Sequence, residues 1–294
     1  MSDLTIKDVD VAGAIPRRGR VMEFVRRHPT VVLGGGLLGV LIFVSLAAPL
    51  LTQYDPLRLN VIERLQPPSE RHLFGTDAYG RDIFSRTLYG GRVSIVVGLG
   101  VATLSILIGC VIGLVSGFFR RLDAVIMRFM DGLMAIPGVL LAIAMMALLR
   151  PSLFVVVIAL TVTEVPRVVR LVRALTLTIR EQPYVEAAIS GGTRAPRLLV
   201  FHILPNMVPP LIVQATYICA LAVLGEATLS FLGVGVPPEI PSWGNIIAES
   251  RLLVQRAIWT IAFPGLFLGL MVLAINMLGD GLRDLFDPRL SRKS

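Results

Sequence analysis

Histidines and cysteines are the residues of this chain that could bind a metal ion or act as nucleophiles, and their spacing argues against both roles. The three histidines lie far apart, at His28, His72 and His202. None of them belongs to a pair that would place two imidazoles on one helix face. Cys110 and Cys219 both lie within apolar segments, where a thiol usually behaves as a small buried hydrophobe. The sequence therefore predicts no metal site, no cofactor and no covalent catalysis.

A phosphate-binding loop is excluded as well. The motif Gly-x-x-x-x-Gly-Lys-Ser/Thr requires a lysine, and the only lysines are Lys7 and Lys293, which lack that context. The chain cannot bind ATP through such a loop, and we predict that it is not an enzyme.

The most informative segment is a polar helix-turn-helix, Glu181–Pro210, between two apolar segments of membrane length. Pro183 fits the first position of a helix. Gly191 and Gly192 can end that helix, because a positive φ costs a residue with a Cβ about 1–2 kcal/mol and costs glycine almost nothing. A second short helix follows and is expected to end at Pro205. One apolar face of the first helix would carry Tyr184, Val185, Ala188 and Ile189.

The composition indicates a membrane protein. Hydrophobic residues make up 54% of the chain and charged residues 16%, and the mean hydropathy is +0.76. Soluble domains carry about 25% charged residues. The net charge of +8 could suggest nucleic acid binding, but the arginines flank apolar segments, which fits membrane topology better. We therefore predict contact with membrane lipid and no nucleic acid partner.

Six segments approach the length of about 20 residues that a helix needs to cross an apolar layer of about 30 Å. They are 30–52, 93–118, 133–149, 152–169, 208–232 and 258–279. The first could instead be a signal peptide, because Ser45 and Ala47 are small residues near its end. The long polar segment before it and the apolar residues after it favour an uncleaved span. The expected fold is an all-α bundle of six transmembrane helices.

Small residues recur at every fourth position of the second span, at Ser105, Gly109, Gly113 and Gly117. On a helix they form one row, so we predict that a neighbouring helix packs closely there. The fourth span is the least apolar, because it includes Glu164, Pro166 and Arg167. We expect Glu164 and Arg167 to pair near the membrane interface, where charges cost less than at the bilayer centre.

The distribution of basic residues predicts the orientation. With a cytoplasmic N-terminus, 19 Lys and Arg lie on the cytoplasmic side of six spans, if Arg167 at the cytoplasmic end of the fourth span is included, and 9 lie on the other side. The positive-inside rule then places both termini and the polar hairpin in the cytoplasm. Residues 53–92 disagree, since they hold six arginines outside. We expect nearby acids to balance these locally: Asp55, Glu63, Glu70, Asp77 and Asp82.

These features divide the chain into five parts. They are a cytoplasmic N-terminal segment (1–29), the first span (30–52), an extracytoplasmic loop (53–92), a core of five spans (93–280) and a cytoplasmic tail (281–294). The hairpin, with its motif residues in 181–206, lies within the core.

The hairpin resembles the EAA loop of ABC importer permeases, which docks into a cleft of an ATPase subunit. The residues that carry the resemblance are Glu186-Ala187-Ala188, Gly192 and Leu204-Pro205. The run that contains the last two, His202-Ile203-Leu204-Pro205-Asn206, is similar to the dipeptide, oligopeptide and nickel branch of the family. The resemblance implies that Glu186 makes a polar contact with the ATPase, that Ala187 and Ala188 permit close docking, and that Gly192 forms the turn.

Three further stretches extend the resemblance over residues 70–290, to the C-type subunits of dipeptide and oligopeptide importers. The first is Phe74-Gly75-Thr76-Asp77, Gly80-Arg81-Asp82, Ser85-Arg86 and Gly91-Arg92-Val93-Ser94. The second is Glu226, Leu229–Gly233 and Pro241–Gly244, and the third is Gly279–Asp284 with Asp287–Arg289. Ala195-Pro196 and Glu164-Val165-Pro166 depart from the family pattern.

The resemblance implies a MetI-like permease bundle in the bacterial inner membrane. It also implies a second permease subunit, two cytoplasmic ATPase subunits and an extracytoplasmic solute-binding protein as partners. Short peptides would be transported by alternating access, with nickel or other metal chelates and glutathione as alternative solutes. Polar residues within the spans are candidates for the translocation path: Gln214, Tyr217 and Asn276.

Two other classes of protein fit the sequence less well. A self-sufficient secondary transporter often shows inverted repeats and charged groups at mid-membrane. The sequence shows no convincing repeat, and its charges cluster near the ends of the spans. A membrane-embedded enzyme would need a polar catalytic cluster, and the intramembrane polar residues form no such set.

Overall fold

The computed structural model describes residues 25–26 and 28–286, and every regular element within these residues is a helix. The α-helices of this part are α1 (Pro29–Leu46), α2 (Ala48–Leu51), α3 (Ile83–Phe118), α4 (Arg120–Ala135), α5 (Gly138–Leu148), α6 (Leu153–Arg180), α7 (Pro183–Ser190), α8 (Ala195–Leu198), α9 (Leu204–Phe231), α10 (Trp243–Ser250) and α11 (Trp259–Phe286). The predictions for the N-terminal arginines and for Asp287–Arg289 lie outside the described residues.

Four helical stretches are long and apolar enough to cross a membrane: α1, α3, the continuous stretch Ala195–Phe231, and α11. The helix α9 contains most of the predicted span 208–232, and α11 contains most of 258–279. A bend at Ala47 separates α1 from the short α2, so the predicted first span, 30–52, is two helices.

Helix α3 begins at Ile83, well before the predicted start at residue 93. The side chain of Asp82 caps it by accepting a hydrogen bond from the backbone N–H of Ser85 at 2.7 Å. The predicted loop 53–92 therefore ends at Asp82. The hydropathy pattern did not predict this first part of α3, because the segment contains polar side chains such as Arg86. These side chains are buried against protein instead of facing lipid.

Helices α4 and α5 form a bent pair where a single span, 133–149, was predicted. The helices meet at 88° across Ile136 and Pro137. At about 1.5 Å per residue, the 11 residues of α5 are too short to cross an apolar layer of about 30 Å. The predicted span 133–149 is therefore part of a bent pair of helices and not one straight helix. If the bent pair counts as one span, the structure holds five.

Helix α6 is longer than the predicted span 152–169 and continues through Pro166. It is long enough to cross a membrane, but Glu164 and four arginines make it less apolar than the four stretches above. On length and apolarity together, the described residues provide four or five spans, and the predicted six are not reached.

The glycine row of α3 packs against α6, as the sequence predicts. A Cβ on Gly109 would lie 2.5 Å from the Cβ of Val168, closer than real Cβ atoms approach. A Cβ on Gly113 would lie 2.6 Å from that of Val172, and Gly117 continues the row. Each step of four residues along α3 is matched by a step of four in the same direction along α6. The two helices therefore run parallel.

The bent pair runs antiparallel to α6. Near the start of α4, Asp123 accepts hydrogen bonds from Nε and Nη2 of Arg173 at 2.5 and 2.6 Å. At the start of α5, a Cβ on Gly138 would lie 3.5 Å from the Cβ of Thr163. As α4 and α5 proceed, their contacts therefore move toward the N-terminus of α6.

A lobe of buried charges lies at the start of α3. Nη1 of Arg86 donates to Asp77 at 2.6 Å and to Glu249 at 2.8 Å. Arg81 contacts the same two carboxylates, and Arg86 is completely buried. The prediction of local charge balance is confirmed for Asp77, but the sequence did not indicate Glu249, which lies on the distant α10.

Candidate functional site

The predicted hairpin is formed by α7 and the helix that follows it. Pro183 occupies the first turn of α7, and Gln182 precedes it in an extended conformation. Gly192 has φ +79, and the N–H groups of Gly192 and Thr193 donate to the carbonyls of Ile189 and Ala188 at 2.9 and 3.0 Å. This is the double hydrogen bond of the Schellman motif. The prediction that the two glycines end the first helix is confirmed.

The second half of the hairpin differs from the prediction, because Pro205 does not end the helix. Helix α8 passes through a π-helical turn, Leu199–Ile203, directly into α9. In that turn the N–H of Leu204 donates to the carbonyl of Leu199. Pro205 follows this π-helical turn directly, at the start of α9. The result is one continuous stretch, Ala195–Phe231, of 37 residues.

The hairpin is anchored to the rest of the protein by one buried apolar face. Val185, Leu198, Ile203 and Met207 are all buried and belong to the main hydrophobic core. This core also contains residues of α3, α5 and α6. The hairpin therefore moves with the helices around it and is not a loose connection.

The opposite face of the hairpin is exposed and carries the predicted contact residues. Glu186, Ala187, Gly192 and Pro205 are exposed, and Ala188 and Leu204 are half-buried. The four-residue apolar face predicted for the first helix is split, because Tyr184 and Ile189 are 45% and 47% exposed. Two large apolar side chains thus flank Glu186, Ala187 and Ala188 on the free surface.

The three candidate path residues are not gathered in one cavity of this chain. Gln214 lines a groove of about 570 Å³ with Pro210, Val213 and Arg283. Tyr217 and Asn276 are exposed on the outer sides of α9 and α11. Their role in translocation stays a prediction.

The pair Glu164 and Arg167 forms as predicted, with Nη1 of Arg167 at 3.1 Å from both carboxylate oxygens. Its position relative to the membrane interface stays a prediction. Helix α3 has no charged residue between Arg92 and Arg120, and Gly109, near the middle of that stretch, packs against Val168. The packing of α6 against α3 therefore places the pair level with the middle of the charge-free part of α3.

Comparison with known proteins agrees with this architecture. Residues 105–292 match the family described as binding-protein-dependent transport system inner membrane component. Residues 20–68 match the N-terminal transmembrane domain of oligopeptide transport permease C.

Individual relatives cover nearly the whole chain. A probable peptide ABC transporter permease protein of Sinorhizobium fredii is 53% identical over 93% of this chain and 94% of its own. The dipeptide transport system permease protein DppC of Alkalihalophilus pseudofirmus is 41% identical over 90% of this chain and 88% of its own length. The oligopeptide transport system permease protein OppC of Bacillus subtilis is 37% identical over 91% of this chain and 88% of its own length. This multi-pass, non-catalytic chain therefore belongs to the inner-membrane components of binding-protein-dependent transport systems, the permease subunits of ABC importers.

Proposed function

We propose that this permease forms half of the translocation path of a peptide importer and crosses the membrane six times, with both termini and the hairpin in the cytoplasm. Relatives that span most of this chain are named for peptide, dipeptide or oligopeptide transport. The partners proposed are a second permease, two ATPases and an extracytoplasmic solute-binding protein. Nickel or other metal chelates and glutathione are the alternative solutes.

The direction of the helices supports six crossings. Because α3 and α6 run parallel in close register, the chain between them must return across the membrane. The bent pair α4 and α5 makes that return, since it runs antiparallel to α6. With α1, α9 and α11, this gives six crossings and places both termini on one side. The excess of basic residues on that side favours the cytoplasm.

The continuity of the stretch Ala195–Phe231 is the observation that carries the proposed mechanism. At about 1.5 Å per residue this helix is about 55 Å long, so its N-terminal end protrudes beyond an apolar layer of about 30 Å. A displacement of the hairpin by an ATPase is transmitted to α9 without a flexible link. The exposed surface around Glu186 and Ala188 is the proposed contact with the ATPase.

The test places a single cysteine at Ala188 in a chain whose Cys110 and Cys219 are replaced by alanine. In the complete transporter we expect a membrane-impermeant maleimide to label this cysteine only from the cytoplasmic side. We also expect it to form a cross-link to an ATPase subunit that carries cysteines around its cleft. A cysteine at Leu252, 89% exposed in the loop before α11, is the control and should be labelled only from outside.

The same preparation tests the solute by ATP-driven uptake of labelled alanyl-alanine into proteoliposomes. Uptake that needs both the ATPases and the binding protein is the expected result. Labelling of Ala188→Cys only from outside would overturn the coupling role. Uptake by this chain alone, without ATP, would instead identify a secondary transporter.

A further inference from the structure

A charged pair at mid-membrane lies in a groove of this permease. Glu164 and Arg167 line a groove of about 300 Å³ between α5, α6 and α9. The side chain of Arg167 is 47% exposed and that of Glu164 is 12% exposed. The remaining wall is mostly apolar and includes Val139 of α5, Leu160 of α6 and Leu224 of α9. Ligand sites commonly combine apolar walls with a few charged or polar groups in this way.

The other ion pairs of α6 show what a structural pair does in this bundle. Arg173 binds Asp123 on α4, and Arg170 binds Asp131, also on α4, at 2.7 Å. Both pairs therefore join two helices. Glu164 and Arg167 lie on the same turn of α6, so their pair holds no helices together. A charge pair at the bilayer centre is costly, and such residues usually mark a substrate or ion pathway.

The geometry of the pair leaves hydrogen-bonding capacity for a ligand. Both described contacts between Arg167 and Glu164 use Nη1 of the guanidinium. An arginine has five N–H donors in a planar fork that fits a carboxylate with two parallel hydrogen bonds. Nε and Nη2 are thus the donors that a ligand carboxylate would take, and the Glu164 carboxylate can accept from an ammonium group.

We propose that Glu164 and Arg167 form a binding station for a zwitterionic solute in the translocation path. Arg167 receives the terminal carboxylate of a peptide, and Glu164 receives its terminal ammonium. The apolar wall accommodates the side chains without selecting among them. Peptides of different sequence share only their charged ends, so a pair of opposite charges binds all of them at the deepest point of the path. The station rests on the proposed function, that the solute is a peptide.

The experiment measures whether a dipeptide protects the groove from a thiol reagent in the complete transporter. The reporter is Leu224→Cys, in a chain whose Cys110 and Cys219 are replaced by alanine, because Leu224 lines the groove and is 41% exposed. A small charged methanethiosulfonate should label this cysteine. Alanyl-alanine, added without the binding protein, should slow the labelling at least fivefold. N-acetyl-alanyl-alanine amide, which lacks both charges, should not.

The double variant Glu164→Gln/Arg167→Gln removes the charges and keeps the size of both side chains. In this background we expect Leu224→Cys to be labelled as before, while the concentration of alanyl-alanine needed for half-protection rises at least tenfold. A cysteine at Leu252, outside the groove, is the control and should be labelled at the same rate with and without the peptide.

Three results would overturn the station: no labelling of Leu224→Cys, equal protection by the capped peptide, or unchanged protection in the double variant. ATP-driven uptake of alanyl-alanine by the transporter with native Glu164 and Arg167 separates this proposal from the broader one. Uptake without protection refutes the station alone. Absence of uptake refutes the peptide as solute.

Discussion

Two neighbouring glycines of the hairpin have different backbone requirements. Gly191 has φ −75, which any residue adopts, whereas Gly192 has φ +79. A Cβ on Gly192 would meet no atom within 4 Å. A side chain at this position would therefore cause backbone strain without a steric clash. The glycine is needed for the turn that sets the direction of α7 relative to α8.

The substitution Gly192→Val is expected to reduce ATP-driven uptake about tenfold or more. The left-handed conformation costs about 1–2 kcal/mol for a residue with a Cβ, and more for a β-branched one, so the hairpin adopts another shape. Uptake into proteoliposomes measures the loss of transport, and the amount of ATPase that purifies with the permease measures the contact between the two. The amount of permease in the membrane should not change.

Two matched variants separate strain from a general effect of substitution. Gly191→Ala should transport within about twofold of the unchanged protein, because its φ is permitted. Gly192→Asn should recover most of the activity, since asparagine tolerates a positive φ better than other residues with a Cβ. A fully active Gly192→Val permease would refute the role of the turn.

At the scale of elements, the contact between α3 and α6 depends on the absence of side chains. A Cβ on Gly113 would lie 2.6 Å from the Cβ of Val172 and 2.9 Å from the carbonyl oxygen of Val169. Close approach strengthens van der Waals packing, which together with interhelical hydrogen bonds and lipid entropy holds helices together inside a membrane. The row thus fixes the register that places Glu164 and Arg167 level with the middle of the charge-free part of α3.

The substitution Gly113→Ala is expected to destabilise the permease by about 1–3 kcal/mol, the usual cost of overpacking. Gly269→Ala on α11 is the matched control, because a Cβ there would meet nothing within 4 Å. In a helix, alanine is favoured over glycine by about 1 kcal/mol, so the control should melt at the same or a higher temperature. Thermal unfolding in detergent measures both. Equal shifts for the two variants would contradict the close contact.

At the scale of the whole molecule, the bent pair α4 and α5 decides how many times the chain crosses the membrane. Its amphipathic half, α4, turns acidic side chains toward the arginines of α6. Its apolar half, α5, lines the groove that holds Glu164 and Arg167. The proposed six crossings therefore require that this pair connects the two sides of the membrane through its bend at Pro137.

The crossing is tested by cysteines at the two ends of the bent pair, at Arg121 and Leu149, one at a time. An impermeant maleimide should label Leu149→Cys from outside and Arg121→Cys only in inside-out vesicles. Arg121 and Leu149 are both exposed, so the reagent should reach a cysteine at either position. Labelling of both from the same side would mean that the bent pair does not cross the membrane and would refute the six crossings.

The sequence alone determined the features that depend on local chain properties. The apolar segments follow from average hydropathy, the turn at Gly192 from the freedom of glycine, and the packing row at Gly109 and Gly113 from four-residue spacing. The same reasoning failed at Pro205, because a π-helical turn upstream let the helix continue. A proline in a sequence predicts the end of a helix. The sequence pattern does not show that a π-helical turn before the proline lets the helix continue.

Only the tertiary structure decided which charges meet and at what depth. Glu249 binds Arg86 although 163 residues separate them, and no local pattern links two such segments. The level of Glu164 along α3 follows from the register of α3 against α6, and the antiparallel course of α4 and α5 is visible only from their contacts with α6. Hydropathy averages over one segment, whereas burial and ion pairing depend on the segment that lies opposite.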